Sequence, residues 1–239
     1  MTYDFLSFPG EDHLHMGRAN EDRIRIESRD GLTAAVVCDG AGSFGSGAEA
    51  AELISNALAQ LLHRRFEALY AQPGDQVRTL LVRTVERTLG RYSRSSGIAK
   101  EALACTILAA AVHEDGRCIC IHLGDGIILQ KDRDQDRTSV VSCPMTGLAP
   151  HSTYLTMNCE LERYLRFYRW QASSLERLVL LSDGAAEHLV RLRGGDGWVY
   201  AAGEPEICSI RRRLYSVKPR DDHSAVVISR IGDKKEERT

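Results

Sequence analysis

The chain has 239 residues, 43% of them apolar and 27% charged, with a formal net charge of −2, which is the profile of an ordinary folded globule with room for one sizeable core. A charge balance this close to neutral sets aside a nucleic-acid binder, because neutralising a phosphate backbone calls for a clear basic excess. No stretch reaches the roughly 20 apolar residues of a membrane span and the N-terminus has no apolar signal region, so a cytosolic monomer without a membrane partner is expected.

In chain order, the first predicted element is a strand at residues 32–38, a short apolar run closed by Asp39. A helix follows from Gly47 to about Tyr70, where Ala51, Ile54, Leu58, Leu61 and Leu62 recur at three- and four-residue steps, so one face of it lies on a sheet. Gln72-Pro73-Gly74 separates it from a second helix, about 75–94, with Val77, Leu80, Leu81 and Val85 on one side. Strands are predicted at 104–112, 118–123 and 178–182, short helices after Asp183-Gly184 and over 204–215, and a closing strand at 224–231, rich in Val and Ile. The seven cysteines are odd in number and include no Cys-x-x-Cys pair, which excludes a disulfide framework or zinc ribbon. Cys38, Cys105, Cys118 and Cys120 sit in apolar runs and read as reduced packing residues. With no internal repeat and no linker, residues 1–232 read as one domain of mixed helices and strands, and 233–239 as a flexible charged tail.

The informative feature is where the aspartates fall. Asp39-Gly40, Asp125-Gly126 and Asp183-Gly184 each close an apolar strand, Asp221 and Asp222 precede the last one, and Asp22 stands ahead of the early strands. One Asp-Gly after a strand is ordinarily a turn. Three of them change the reading, since strands of one sheet system that finish together bring their terminal carboxylates together, and converging carboxylates repel unless a cation neutralises them. Magnesium and manganese take oxygen ligands and keep several waters, so five or six carboxylates suffice for two ions. Such a pair lowers the pKa of a water and stabilises charge on a transferring phosphoryl group.

In order along the chain, Gly17-Arg18-Ala19-Asn20-Glu21-Asp22, Val37-Cys38-Asp39-Gly40-Ala41-Gly42-Ser43 leading to Gly47-Ala48-Glu49, Ala104-Cys105-Thr106, Leu123-Gly124-Asp125-Gly126, Leu181-Ser182-Asp183-Gly184 and Arg220-Asp221-Asp222-His223-Ser224 resemble the PP2C-type metal-dependent protein phosphatases, especially their compact bacterial branch. The resemblance covers nearly the whole chain. It implies an α+β fold, an α-β-β-α sandwich of two antiparallel sheets flanked by helices, with two Mn2+ or Mg2+ ions at one end. It also implies the roles: Asp39 bridges both metals, the Gly40 carbonyl binds one, Asp183 and Asp221 hold the other, Asp22 acts through an intervening water, and Asp125 helps hold a weaker third metal. The implied substrate is a phosphorylated protein, with a serine/threonine kinase as the opposing partner.

Three departures from the family pattern stand out. Arg18 is one residue out of register with the arginine that grips substrate phosphate in many relatives, while His13 matches an upstream histidine of the bacterial branch, so phosphate binding falls to Arg18, His13 or both. Asp222 replaces the usual asparagine after the last ligand. The segment from Thr138 to Tyr154, which in larger relatives forms a flap, is short. Elsewhere, His15, His122, His151 and His188 have no zinc-site spacing, Arg211-Arg212-Arg213 reads as a solvated helix face, and Thr106 is expected to support the strand beside the site. Ser43 and Ser182 lack a nucleophile elbow. Two rival readings stand beside the protein phosphatase: a catalytically silent phosphoprotein-binding module, and a phosphatase of small metabolites.

Overall fold

The computed structural model describes residues 1–145, 153–157, 160–193 and 197–230; His151 and the tail expected at 233–239 lie outside the described residues. One antiparallel sheet has five strands in the spatial order β1 (Thr2–Phe8), β12 (His223–Ser229), β9 (Leu175–Leu181), β6 (Ile127–Asp132) and β7 (Thr138–Ser142). The other runs β2 (Arg23–Arg29), β3 (Leu32–Cys38), β4 (Ile107–His113), β5 (Arg117–Leu123) and β8 (Arg166–Gln171), again antiparallel throughout. Helices α2 (Gly47–Ala71) and α3 (Gly74–Ser96) cover the second sheet, and α5 (Asp183–Leu189) and α6 (Ile207–Val217) cover the first. Short α1 (Glu11–His15), α4 (Leu161–Tyr164), 3-10 turns at Gly42–Phe44 and Lys100–Ala102, and the hairpin of β10 (Val190–Arg193) with β11 (Gly197–Tyr200) complete the described elements. This is the four-layer α-β-β-α sandwich.

The period of two along each inner strand builds the layers. Ala34, Val36 and Cys38 of β3 pack with Ile54, Leu58 and Leu62 of α2, whereas Ala35 and Val37 point the other way, into a central layer shared with Leu178 and Leu180 of β9 and Val226 and Ile228 of β12. Val179 and Leu181, with Ala225 and Val227, return to the outer layer against Leu189 of α5 and Ile210 and Leu214 of α6. Because both faces of these strands are covered, their sequences are apolar at every position rather than alternating. Each fully buried Leu or Ile on the α2 face contributes roughly 1.5–3 kcal/mol, so the helix is held chiefly by this seam. Gln72, in extended conformation, ends α2, and Gly97 at φ +77° ends α3 in the left-handed conformation open to glycine.

The predicted inner strands are all present, with ends displaced by a few residues: β4 begins at Ile107 rather than 104, because 104–106 leave the ladder to shape the site, and β9 begins earlier, at Leu175. The predicted helix at 204–215 is α6, starting at Ile207. Among the described residues Cys38, Cys105, Cys118 and Cys120 are buried free thiols, as expected, and no helix is long and apolar enough to cross a membrane.

Candidate metal centre

The ends of β3, β5 and β9 and the start of β12 open at the same edge of the sandwich, and the aspartates ride on them. Asp39 follows β3. Its backbone prolongs the β3–β4 ladder by one step: the Asp39 N–H donates to the Thr106 hydroxyl at 3.0 Å, the Thr106 N–H donates to the Asp39 carbonyl at 2.9 Å, and Gly40 bridges to Cys105. Thr106 therefore supports the strand beside the site, as its position predicts. Gly40 lies against the first residue of α2 so closely that a Cβ on it would meet the Gly47 carbonyl carbon at 2.5 Å; both positions need glycine for the loop to cross the helix start. Asp125 occupies the turn between β5 and β6, Asp183 opens α5 with its Oδ1 accepting from the Gly184 N–H at 2.7 Å, and Asp221 accepts from the Asp222 N–H at 2.8 Å.

These elements bring one carboxylate oxygen each of Asp39, Asp125 and Asp183 within 4.8 Å of one another. Asp221 and Gly40 line the same cleft, of about 240 Å3, together with Thr106, Ser43, His13, Arg18 and Glu21. Asp22 is elsewhere: it lies buried, at 3% exposure, outside the cleft wall, and neither of its carboxylate oxygens has a hydrogen-bond partner. Burial and mutual repulsion set the electrostatics. Asp22 is pushed up to about 8, chiefly by desolvation, with added repulsion from Asp183 and Asp222 and against a weaker pull from the nearby Ser224 and Ser182 hydroxyls, which do not reach hydrogen-bonding geometry with it. Asp183 rises to about 7 through desolvation and the charges of Asp125 and Asp221. Asp39 lies well above the carboxylate range, through desolvation and then Asp22, Asp183, Asp221 and Asp125, and Asp125 is raised for the same leading reason. Carboxylates driven toward protonation, one of them buried and unpartnered, fit a hard divalent cation.

Asp222, one residue past the last predicted ligand, also lines the cleft, and its carboxylate works as a hub. Its carboxylate accepts the Gly10 N–H at 2.8 Å, the Glu21 N–H at 2.6 Å and His13 Nδ1 at 2.9 Å. It thus ties α1 and the segment leading to Asp22 onto β12. Sequence reasoning saw only a substituted asparagine there; the signal available was a carboxylate beside a ligand position, which can be an organiser as well as a ligand. Arg18 is engaged by Glu21 at 2.7 Å, a partner the sequence reading did not single out. Thr153, which also lines the cleft and lowers Asp125 through its hydroxyl, was likewise missed. Among the described residues the other histidines singled out do not line the cleft: His15 is exposed, His188 is half-buried on α5, and His122 is buried on Ser142 Oγ at 2.6 Å and pushed down to about 3 by desolvation. Arg211, Arg212 and Arg213 are exposed on α6.

A four-layer α-β-β-α sandwich with an acidic cleft at the mouth of its two sheets is the architecture of a phosphatase. The chain belongs to the protein phosphatase 2C family, whose model matches residues 9–203. Among solved structures it is similar to PppA, described as a key regulatory component of T6SS in Pseudomonas aeruginosa, at 20% identity and a TM-score of 0.67, covering 96% of this chain and 97% of that one. The serine/threonine phosphatase Stp1 from Staphylococcus aureus aligns at 16% identity and a TM-score of 0.65, over 97% and 96% of the two chains. RsbX in complex with magnesium aligns at 13% identity and a TM-score of 0.54, over 94% and 92%. Comparison with curated protein sequences finds no match.

Proposed function

We propose that residues 1–232 form one catalytic unit that hydrolyses phosphoserine and phosphothreonine in proteins at a site for two manganese or magnesium ions. The observation that carries this reading is the meeting of the Asp39, Asp125 and Asp183 oxygens within 4.8 Å, a cluster whose repulsion a hard cation relieves; the magnesium bound to RsbX supports the choice of cation. Asp39, the Gly40 carbonyl, Asp183 and Asp221 would hold the ions. Asp125 would help hold a further, weaker ion, and Asp22 would act through an intervening water. When bound, the ions supply Lewis-acid charge for the phosphoryl oxygens and a water activated for attack on phosphorus.

The chain's own residues do the rest. Arg18 and His13, which line the same cleft, receive the substrate phosphate, with Glu21 steadying the guanidinium and Asp222 the imidazole. The Thr106 hydroxyl accepts the Asp39 N–H and so holds the loop that carries Asp39; in this reading hydrolysis is direct, without a phosphoenzyme. Leu14, Met16 and Phe44 are 55%, 60% and 43% exposed on the two segments that carry His13, Arg18 and Ser43. Exposed apolar side chains on these segments suit the flanks of a peptide more than a small metabolite. In the test, a phosphothreonine peptide is incubated with manganese, magnesium or chelator. Cation-dependent release of phosphate, abolished by Asp39→Asn and by Asp183→Asn, is expected; folded wild type without turnover under every metal would replace this reading with a silent phosphoprotein-binding module.

A further inference from the structure

A second polar pocket lies away from the cleft, on the seam between β2 and α2. Arg25, Glu27 and Arg29 alternate onto one face of β2, Gln60, His63 and Arg64 share one face of α2 at steps of three and four, and together they line a hollow of about 390 Å3. Gln60 is thirteen residues past the start of α2, which rests on Gly40; at 1.5 Å per residue that is on the order of 20 Å from the metal centre along the helix. Three guanidinium groups face a single carboxylate, that of Glu27, which holds Arg25 through two bonds of 2.9 and 3.1 Å and so fixes the plane of its fork. Arg29 has only the highly exposed Asp30 at 3.4 Å, a pair of little weight in water. Among the described residues Arg64 has no ion-pair or hydrogen-bond partner, and neither does Nε2 of His63 although that atom is buried. Arg29, His63 and Arg64 also line an adjoining hollow of about 350 Å3 whose wall includes Leu32, Phe66 and Ala68 together with Arg65, His113, Asp30 and Glu67, the last of these neutralised by Arg117 at 2.6 and 2.8 Å.

We propose that this pocket is a second anion site, distinct from the metal cleft, that takes a phosphoryl group carried on a protein segment. Arg25, Arg29 and Arg64 supply forked donors matched to phosphate oxygens, and His63 an uncommitted ring nitrogen. The adjoining hollow with its apolar wall receives a residue flanking the phosphate, which is what separates a protein-borne group from the free ion.

The test runs on the full chain with chelator present, where the acidic cleft repels anions and no turnover is read, so its outcome is independent of the phosphatase reading. Inorganic phosphate, a phosphothreonine peptide and its unphosphorylated twin are titrated calorimetrically. Saturable binding of the phosphopeptide is expected, about tenfold or more tighter than that of phosphate, weakened about tenfold or more by Arg25→Ala or by the charge reversal Arg64→Glu, and unchanged by Asp39→Asn. Arg25 and Arg64 are both exposed, and a thermal melt verifies that the variants fold. Equal affinity for phosphate and phosphopeptide overturns the assignment to a protein segment. Absence of saturable binding, binding as tight by the unphosphorylated twin, or binding undiminished in both arginine variants overturns the site itself.

Discussion

Raising the pH of the metal-free protein from 6.5 to 8 should destabilise it, and the size of the loss follows from the buried aspartates. A carboxyl whose pKa is higher folded than unfolded holds its proton in the fold; its contribution is intact at low pH and is lost as pH climbs from the unfolded value toward the folded one. Asp22 moves from 3.8 to about 8 and Asp183 from 3.8 to about 7, so both titrate in this window. At roughly 1.4 kcal/mol per pH unit while protonated, the pair together loses about 2 kcal/mol, and Asp39, raised for the same reasons, adds in the same direction. His122 and His223 are lowered by burial and act in the opposite sense, but mostly below pH 6.5; above it they return about 0.4 kcal/mol each at most. For a chain of this length the melting temperature should fall by roughly 4–8 °C. The assay is a set of thermal melts in chelator at pH 6.5, 7.2 and 8.0, repeated with excess manganese, which should raise the midpoint most at pH 8.0, where the ion displaces the fewest protons. Asp22→Asn should flatten the metal-free slope. A midpoint independent of pH in chelator, with no gain from manganese, would refute the reasoning.

Two substitutions probe how the site is held. Asp222→Ala orphans the Gly10 and Glu21 amides and releases His13, for a loss of about 3 kcal/mol, while Asp222→Asn keeps part of the network; urea unfolding measures both. Thr106→Val leaves the Asp39 N–H without its acceptor and should weaken manganese binding about tenfold with little change in the rest of the fold, whereas Thr106→Ser should bind like wild type.

How much of this was legible in the sequence depends on where each element sits. The strands read from the sequence, β3, β4, β5, β9 and β12, are the inner ones, covered on both faces and therefore apolar throughout. The four edge strands, β1, β7, β2 and β8, escaped. In β1 only Leu6 is buried, and in β2 the isoleucines at 24 and 26 alternate with Arg23, Arg25 and Glu27, so neither forms an apolar run. An edge strand is specified by its neighbour's ladder more than by its own composition. Strand β6 was missed for another reason, since Ile127–Leu129 is too short a run to separate from the turn that precedes it. The aspartates of the cleft were legible because Asp39, Asp125 and Asp183 each follow an inner strand and Asp221 leads into one, and these strand ends meet at one edge of the sandwich. The work of Asp222, Glu21 and Thr153 was not, because it depends on contacts between segments up to 212 residues apart, and no local pattern records them.

The central claim, that the cleft is a divalent-cation site built from Asp39, Asp125 and Asp183, is tested most directly by titrating manganese into chelator-stripped protein by calorimetry at pH 7 in two buffers of different ionisation enthalpy. The account predicts saturable binding accompanied by net proton release, since the ion displaces protons from raised carboxyls, with binding lost in Asp39→Asn and in Asp183→Asn. Manganese binding without proton release, or binding that survives both substitutions, would contradict it.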